Sequence, residues 1–390
     1  MTIGLIGRID SANAAQVEQG IQKQLSGCGD AEIVLDAERL EYISSAGLRV
    51  ILRLRKSCPS LRVVNVSSEV YEIFEMTGFT ELMPVEKAFR TVSVEGCEVI
   101  GQGANGTIYR LFRDTVVKVY RNADALEEIP HEREVAKLAL ILGIPTAISY
   151  DVVRVGESYG SVFELLNARS FSGILAEEPE KLDWCVREYV ALLKLIHGTR
   201  VPAGKLPDMR ETALMWVKTA LPALPEEAGK KLLALVNAVP GDDHMLHGDY
   251  HTKNLMLQGD EVLLIDMDTL SVGHPIFELG NMYNAYLGFY ERDHDAILDF
   301  QGFDWNTGRA FWEKALAAYL GTDRPEVLRE VENKARVIGY TRLISRSLRH
   351  GFGETEQGKG DIARWREQLL ELLGEMETLT FSPVPEGNRP

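Results

Sequence analysis

Cysteine is scarce in this 390-residue chain, and long apolar runs and an excess of basic residues are absent. The four cysteines form no C-x-x-C pair, which argues against a disulfide framework or a structural zinc site and predicts reduced thiols. No apolar run approaches the ~18 to 20 residues that span a bilayer, so we expect no membrane segment. The start, MTIGLIGRID, lacks a basic region followed by an apolar core, and we therefore expect no signal peptide and a cytoplasmic protein.

Acidic residues outnumber basic ones, with 58 Asp and Glu against 42 Lys and Arg and a formal net charge of −16. Binding to a nucleic-acid backbone needs clustered Lys and Arg, so this balance argues against nucleic acid as a partner. A bound nucleotide needs only a few local cations, and phosphate chemistry therefore stays open. At ~150 residues per domain, the length predicts two or three domains.

Residues 1–90 alternate short β-branched runs with segments of helical periodicity. The runs at 32–37 and 61–66 are typical of buried strands. The helical segments are 12–25, 46–56 and 68–78. This alternation predicts a small α/β domain.

Three blocks in this region carry a family resemblance: GRIDSANA (7–14), IVLDAERLEYISSAGLRVIL (33–52) and VVNVSSEVYEIFEMTGFTELMPV (63–85). Residues 1–90 resemble a STAS domain, the module shared by sulfate transporters and anti-sigma factor antagonists. The resemblance implies an α/β fold, a mixed sheet with helices. It also implies a protein-docking module and hence a protein partner.

Two serines, Ser44 and Ser45, precede the helical segment that starts at residue 46. A serine there can cap the helix or accept a phosphate, since a helix N-terminus stabilises negative charge. Phosphorylated STAS domains read D-S-S-G or D-S-T-G at this place. Aligned on Gly47, this chain has Ala46 where the last hydroxyl belongs, so we favour a cap and keep Ser45 as the candidate phosphorylation site.

A glycine loop, GQGANG, spans residues 101–106 and contains Gly101, Gly103 and Gly106. A dinucleotide-binding loop of this form opens into a helix, but here TIYRLF follows, which is rich in strand formers. We therefore predict a loop between antiparallel strands that covers nucleotide phosphates, as in protein kinases. The alternative is a glycine-rich hairpin without a ligand.

Lys118 lies inside the apolar run VVKVY. A buried ammonium is costly unless it is paired. In a kinase such a lysine pairs with ATP phosphates and with a glutamate on the next helix, which predicts Glu134 as its partner and Glu132 as the alternative. Otherwise the lysine extends to solvent from an edge strand.

The segment HGDYHTKN places Asp249 and Asn254 five residues apart, and Asp266 ends a later apolar run. Phosphoryl transfer uses one carboxylate on the attacking hydroxyl, and an amide and a second carboxylate on magnesium. Two alternatives stay open: Asp266 can cap a strand end, and Asp249 can join a zinc site. The other ligands of that site are His244, His247 and His251. We expect His247 to hold the loop.

Residues from about 97 to 350 resemble the aminoglycoside phosphotransferase and choline kinase branch of the protein-kinase-like superfamily, whose loop reads HGD-x-H-x-x-N. The resemblance implies an α+β two-lobed domain over 91–390, with an N-lobe at 97–166 and a C-lobe at 167–390. The site that it implies is Asp249 as catalytic base, Asn254 and Asp266 on Mg²⁺, Lys118 on ATP, and an adenine-binding hinge from Glu164 to Leu166. His274 and Glu278 replace the two aspartates of the family's G-D-P-x-x-D-L-A segment.

Two features favour a small-molecule hydroxyl as the acceptor of the phosphate. Gly248 replaces the arginine that reads activation-loop phosphorylation in protein kinases, and only residues 267–277 separate Asp266 from Glu278. Met215 and Trp216 lie in the long insertion where small-molecule kinases build an acceptor pocket, although helical spacing also suits core residues. The alternative function is a nucleotide-binding regulator in a STAS and sigma-factor partner switch.

Overall fold

The computed structural model describes residues 1–25, 33–102, 106–121 and 125–381. The chain divides into two compact units. Unit 1 consists of Met1–Tyr109, Lys118–Ala123 and Asp151–Ser161, and unit 2 of Arg110–Val117, Asp124–Tyr150 and Val162–Pro390. Among the described helices, none combines the length and apolar character that crossing a membrane requires.

The N-terminal region forms the predicted α/β fold around a four-stranded sheet in which neighbouring strands pair in parallel. Its strands are β1 (Thr2–Ile9), β2 (Val34–Ile43), β3 (Arg62–Val66) and β4 (Val85–Lys87). Its helices are α1 (Ala14–Leu25), α2 (Ser45–Ser57), α3 (Ser68–Met76) and α4 (Phe79–Leu82). The helices pack their apolar faces on the sheet, and Leu35, Val63 and Phe74 are fully buried there.

A second sheet contains six strands in the order β5-β9-β10-β8-β7-β6. These are β5 (Arg90–Thr91), β6 (Val99–Gln102), β7 (Gly106–Phe112), β8 (Thr115–Tyr120), β9 (Asp151–Val155) and β10 (Ser158–Glu164). The glycine loop joins β6 and β7, which are antiparallel as predicted. Gly156 lies at φ 61° between β9 and β10, which are neighbours in this sheet.

Helix α5 (Ala125–Ile141) begins before the segment of helical periodicity at 131–143. Pro130 stands just before that segment, and proline removes a backbone donor and usually marks a helix boundary. The helix nevertheless continues through Pro130. Inside unit 2, α5 is followed by short strands and further helices.

The short strands of unit 2 are β11 (Arg169–Ser170), β12 (Met245–Leu246), β13 (Leu255–Gln258), β14 (Glu261–Leu264) and β15 (Ser271–Val272). Its helices after α5 begin with α6 (Phe171–Glu177), α7 (Leu182–His197), α8 (Met209–Ala220), α9 (Glu226–Asn237) and α10 (Ile276–Tyr286). They end with α11 (Ala296–Gln301), α12 (Trp305–Leu320), α13 (Pro325–Arg349) and α14 (Glu356–Glu375).

Helix α10 is buried along its whole length and packs closely on α13. A Cβ atom on Gly280 would lie 2.6 Å from Ile338, and one on Gly339 would lie 3.0 Å from the Gly280 carbonyl oxygen. The two glycines therefore allow the helix backbones to approach. This contact holds the polar residues of α10 and α13 in fixed positions around the loop between β12 and β13.

Candidate active site

The loop between β12 and β13 contains Asp249, and side chains of α10 hydrogen-bond to its backbone. Glu278 of α10 is fully buried, and its carboxylate accepts hydrogen bonds from the backbone N–H groups of His247 (2.5 Å) and Gly248 (3.1 Å). Asn281, one turn later, donates to the Gly248 carbonyl oxygen at 2.8 Å. Helix α10 therefore fixes the backbone on both sides of Gly248.

Glu278 remains ionised although it is buried. Burial alone raises the pKa of this carboxyl, but the imidazole of His197, 3.9 Å away, and the N–H of Gly248 outweigh burial and lower it. Glu278, which stands where the family resemblance places an aspartate, therefore anchors the loop through these hydrogen bonds.

Gly248 also brings the loop against the segment that follows Asp266. Its φ is 85°, in the left-handed region, and a Cβ atom there would lie 2.5 Å from the Thr269 carbonyl oxygen. The Thr269 hydroxyl in turn donates to the His247 carbonyl oxygen at 2.7 Å. Glycine is required here because any side chain would collide with backbone.

Asp249 is the carboxylate at the centre of this loop, and its side chain is 39% exposed. Its oxygens lie 3.4 Å from Nε2 of His251 and 3.8 Å from Nη2 of Arg342. Burial raises the pKa of Asp249, but the hydrogen bond and charge of His251 and the charge of Arg342 outweigh it and hold the pKa well below its ordinary value. Asp249 is therefore an ionised acceptor at neutral pH.

His247 holds the loop. Its Nδ1 accepts a hydrogen bond from the Asp249 N–H at 3.2 Å, and its Nε2 lies 3.3 Å from the Ile265 carbonyl oxygen. Burial lowers the pKa of this fully buried imidazole, which favours the neutral form that can accept a hydrogen bond.

Asn254 and Asp266 are joined to the same loop. The Asn254 amide nitrogen donates to the Asp249 carbonyl oxygen at 3.0 Å, which turns its Oδ1 away from that carbonyl. The N–H of Ile265, the residue before Asp266, donates to the Asn254 carbonyl oxygen at 2.9 Å. The contacts therefore couple the Asn254 backbone directly to the segment that leads from β14 to Asp266.

Asp266 adopts φ 64° and ψ 63°, a left-handed conformation that is rare outside glycine and is concentrated at functional sites. A carboxylate and an amide oxygen are the hard donors that Mg²⁺ prefers. The donor chemistry of Asp266 and Asn254 thus fits a magnesium ion.

The predicted nucleotide-binding residues of unit 1 lie on the six-stranded sheet. Lys118 is half-buried on β8, with Nζ 5.2 Å from the centre of the Tyr120 ring. A Cβ atom on Gly106 would lie 2.4 Å from the Val119 carbonyl oxygen, so this position requires glycine. Gly101 lies on β6, and Gly103 falls outside the described residues.

The other predicted residues of this group belong to unit 2. Glu134 is exposed on α5, whereas Glu132 on the same helix is half-buried. Glu164 ends β10, and the following residue, Leu165, donates its N–H to the Asp114 carbonyl oxygen. Leu166 is half-buried just beyond.

The zinc alternative gains no support from the described part of the chain. There, the one grouping of three side chains close enough to hold a metal is Asp242, Asp243 and His244. His244 contacts Asp242 through Nδ1. His247 and His251 are not in that grouping, and each of them contacts Asp249.

Sequence reasoning missed the roles of Glu278, His251 and Arg342. An acidic residue inside the apolar stretch IFELG was the available signal for Glu278, because a buried carboxylate needs several donors. No sequence pattern pointed to Arg342, since the residues of α13 predict an ordinary helix and only tertiary packing places residue 342 beside Asp249.

At the start of α2, Ser44 is the cap that the sequence favours. Its hydroxyl oxygen accepts hydrogen bonds from the N–H groups of Ala46 (3.2 Å) and Gly47 (3.4 Å). Ser45 is the first residue of the helix and is exposed.

Two family models match the chain. The model described as "STAS domain" matches residues 1–93, and the one described as "Phosphotransferase enzyme family" matches residues 96–311. A curated protein, "Putative anti-sigma factor antagonist BtrV" of Bordetella bronchiseptica, is 42% identical over 85 residues, which are 21% of this chain and 72% of that protein.

Solved structures resemble the chain in fold. The ADP-bound aminoglycoside phosphotransferase APH(2'')-Ib aligns with a TM-score of 0.50 at 15% identity, covering 77% of this chain and 98% of that one. A thermostable mutant of aminoglycoside phosphotransferase APH(4)-Ia, in complex with AMP-PNP and hygromycin B, aligns with a TM-score of 0.50 at 11% identity. That match covers 71% of this chain and 93% of the other.

Proposed function

The chain belongs to the phosphotransferase enzyme family and carries an N-terminal STAS domain, and from this premise we propose that it transfers the γ-phosphate of ATP to a hydroxyl group of a small molecule, with Mg²⁺ as cofactor. The observation that carries the proposal is the linked set of Asp249, Asn254 and Asp266. An ionised carboxylate, an oriented amide and a strained aspartate are joined through one hydrogen-bonded loop.

In this proposal Asp249 accepts a hydrogen bond from the acceptor hydroxyl and aligns its oxygen for attack. Its low pKa makes Asp249 a weak base, which suits a loose transition state in which the hydroxyl proton leaves late. Asn254 and Asp266 would hold Mg²⁺, which neutralises phosphate charge when bound. Glu278 and His247 position Asp249 without touching the substrate.

We assign nucleotide binding to Lys118 and the glycine loop, with Glu134 or Glu132 pairing with the lysine and the backbone from Glu164 to Leu166 binding adenine. The half-burial of Lys118 supports this role, because an ammonium that loses water needs anionic partners. The close approach of Gly106 to β8 supports a role for glycine at the end of the loop. Relatives of the same fold were solved with ADP and with AMP-PNP.

A nucleotide-binding and phosphate-transfer assay on the full chain tests the proposal. We expect Mg-ATP binding by the wild type, a strong loss of binding in Asp266→Ala, and retained binding without transfer in Asp249→Asn. Asp260→Asn, an exposed change in the β13–β14 turn, is the matched control and should behave as wild type. Absence of Mg-ATP binding, or an unchanged Asp266→Ala protein, would contradict the proposal.

A second candidate function follows from the 42% identity to an anti-sigma factor antagonist. Here the STAS domain docks a protein partner, and the kinase-like domain regulates this docking or phosphorylates a STAS domain. Ser45, exposed at the start of α2, is the candidate acceptor within the chain. Intact-mass measurement after incubation with Mg-ATP, with Ser45→Ala as control, tests this function; a phosphate on wild type alone would support it.

A further inference from the structure

Three arginines lie on one face of α13 beside the proposed catalytic carboxylate. Arg342 approaches Asp249 to 3.8 Å, and Arg346 and Arg349 follow four and seven residues later, at the spacing that puts side chains on the same helix face. We call these three residues the arginine face. The Arg342 side chain is 25% exposed, and its guanidinium lies against the Asp249 carboxylate.

Aromatic rings hold two of these guanidinium groups in place. The Arg342 guanidinium lies 5.5 Å from the centre of the Trp216 ring, and that of Arg346 lies 5.5 Å from Phe289 and 5.7 Å from Phe352. Phe289 and Phe352 are themselves 40% and 46% exposed. Arginine stacked on aromatic rings is pre-organised for planar anions, since less side-chain freedom is lost on binding.

The arginine face carries more positive charge than its neighbours neutralise. Within the described residues, Arg346 and Arg349 form no ion pair with a carboxylate, and Arg342 pairs with Asp249 alone. The last helical turn favours cations, which accounts for Arg346 and Arg349 in part. It does not account for Arg342, which lies two turns before the helix end. The face is therefore a local cationic surface on a chain of net charge −16.

We propose that the acceptor is a small hydroxylated acid whose carboxylate or phosphate group is bound by Arg342 and Arg346 while its hydroxyl lies on Asp249. This inference rests on the proposed phosphotransferase function and names its substrate class. A hydroxyl hydrogen-bonded to Asp249 is necessarily near Arg342, which lies against the same carboxylate. In the reaction, the γ-phosphorus bonds to the acceptor oxygen, its bond to ADP breaks, and the hydroxyl proton leaves by way of Asp249.

The arginine face also disfavours cationic acceptors such as aminoglycosides. Like charges placed together without water or counter-ions between them oppose binding. An anionic group, by contrast, gains charge-assisted and bidentate hydrogen bonds from arginine.

Calorimetric titration of the full chain, saturated with Mg-ADP, tests the inference with matched probes. The pairs are gluconate against glucose and ribose 5-phosphate against ribose, and kanamycin serves as the cationic probe. We expect the acid of at least one pair to bind on the order of tenfold more tightly than its neutral partner, because hydrogen bonds to charged groups are the stronger ones. Added salt should weaken the preference through screening.

Arg346→Gln and Arg342→Gln should each remove most of the preference, whereas Arg329→Gln, an exposed change on the same helix, should keep it. Equal binding of charged and neutral probes, including no binding of either at millimolar concentration, overturns the inference, as does tighter binding of kanamycin. A wild-type chain that fails to bind Mg-ADP overturns the proposed function itself. The two failures are therefore distinguishable.

Discussion

Replacing Glu278 by glutamine is expected to lower the stability of unit 2 and to slow phosphate transfer. The glutamine side chain has nearly the same shape, but it has no charge and presents one NH₂ group to backbone donors. Hydrogen bonds to charged groups contribute about 1.5–3 kcal/mol and neutral ones about 0.5–1.5 kcal/mol. Because Glu278 accepts from the N–H groups of both His247 and Gly248, the loss adds to roughly 2–3 kcal/mol.

Thermal unfolding and phosphate-transfer rates measure this effect. A loss of 2 kcal/mol lowers the melting temperature by roughly 4–8 °C in a domain of this size. If the same free energy is lost from stabilisation of the transition state, because the loop no longer holds Asp249 in place, turnover falls by roughly thirtyfold. Glu278→Asp keeps the charge but is one carbon shorter, so it should lie between glutamine and wild type.

Glu367→Gln is the control, because its side chain is 73% exposed and removal of its charge should leave the melting temperature unchanged. If Glu278→Gln unfolds and turns over like wild type, the carboxylate does not anchor the loop. In that case the role assigned to α10 in positioning Asp249 is wrong.

Three further predictions concern other parts of the chain. Burial lowers the pKa of His274 to about 4. The contribution of His274 to the free energy of unfolding is therefore fully present above its ordinary pKa of ~6.5 and falls by about 3 kcal/mol towards pH 4. His274→Asn should flatten this dependence in thermal melts from pH 7 to pH 4. Gly106→Ala forces a Cβ atom against the Val119 carbonyl, which should cost about 1–3 kcal/mol and weaken Mg-ATP binding in titrations. Ser44→Ala removes the α2 cap and should cost about 1 kcal/mol in thermal melts, whereas Ser45→Ala should change little; equal effects of the two would contradict the cap.

Local sequence patterns were sufficient to predict much of the fold. The period of apolar residues and the turn glycines predicted most strands and helices, including the antiparallel strands on either side of the glycine loop. The two family resemblances are confirmed by family models that match residues 1–93 and 96–311. The early start of α5 was not predictable, since Pro130 is a local helix breaker that the surrounding structure tolerates.

The candidate site was only partly visible in the sequence. Asp249, Asn254 and Asp266 were predicted from their order and spacing along the chain, and hydrogen bonds connect Asn254 to the Asp249 carbonyl oxygen and to the N–H of Ile265, the residue before Asp266. Arg342 approaches Asp249 only because α13 packs on α10, and no pattern of spacing encodes that distance. The charge around Asp249 is therefore a property of tertiary packing.

Gly248 restricts how this chain can evolve. An arginine at that position is what couples a protein kinase to phosphorylation of its activation loop, and here a side chain of any size would collide with the Thr269 backbone and strain a left-handed φ. A single substitution cannot install that control, because both loops must first move apart. Any regulation that selection adds to this enzyme is therefore expected to arise at positions other than Gly248.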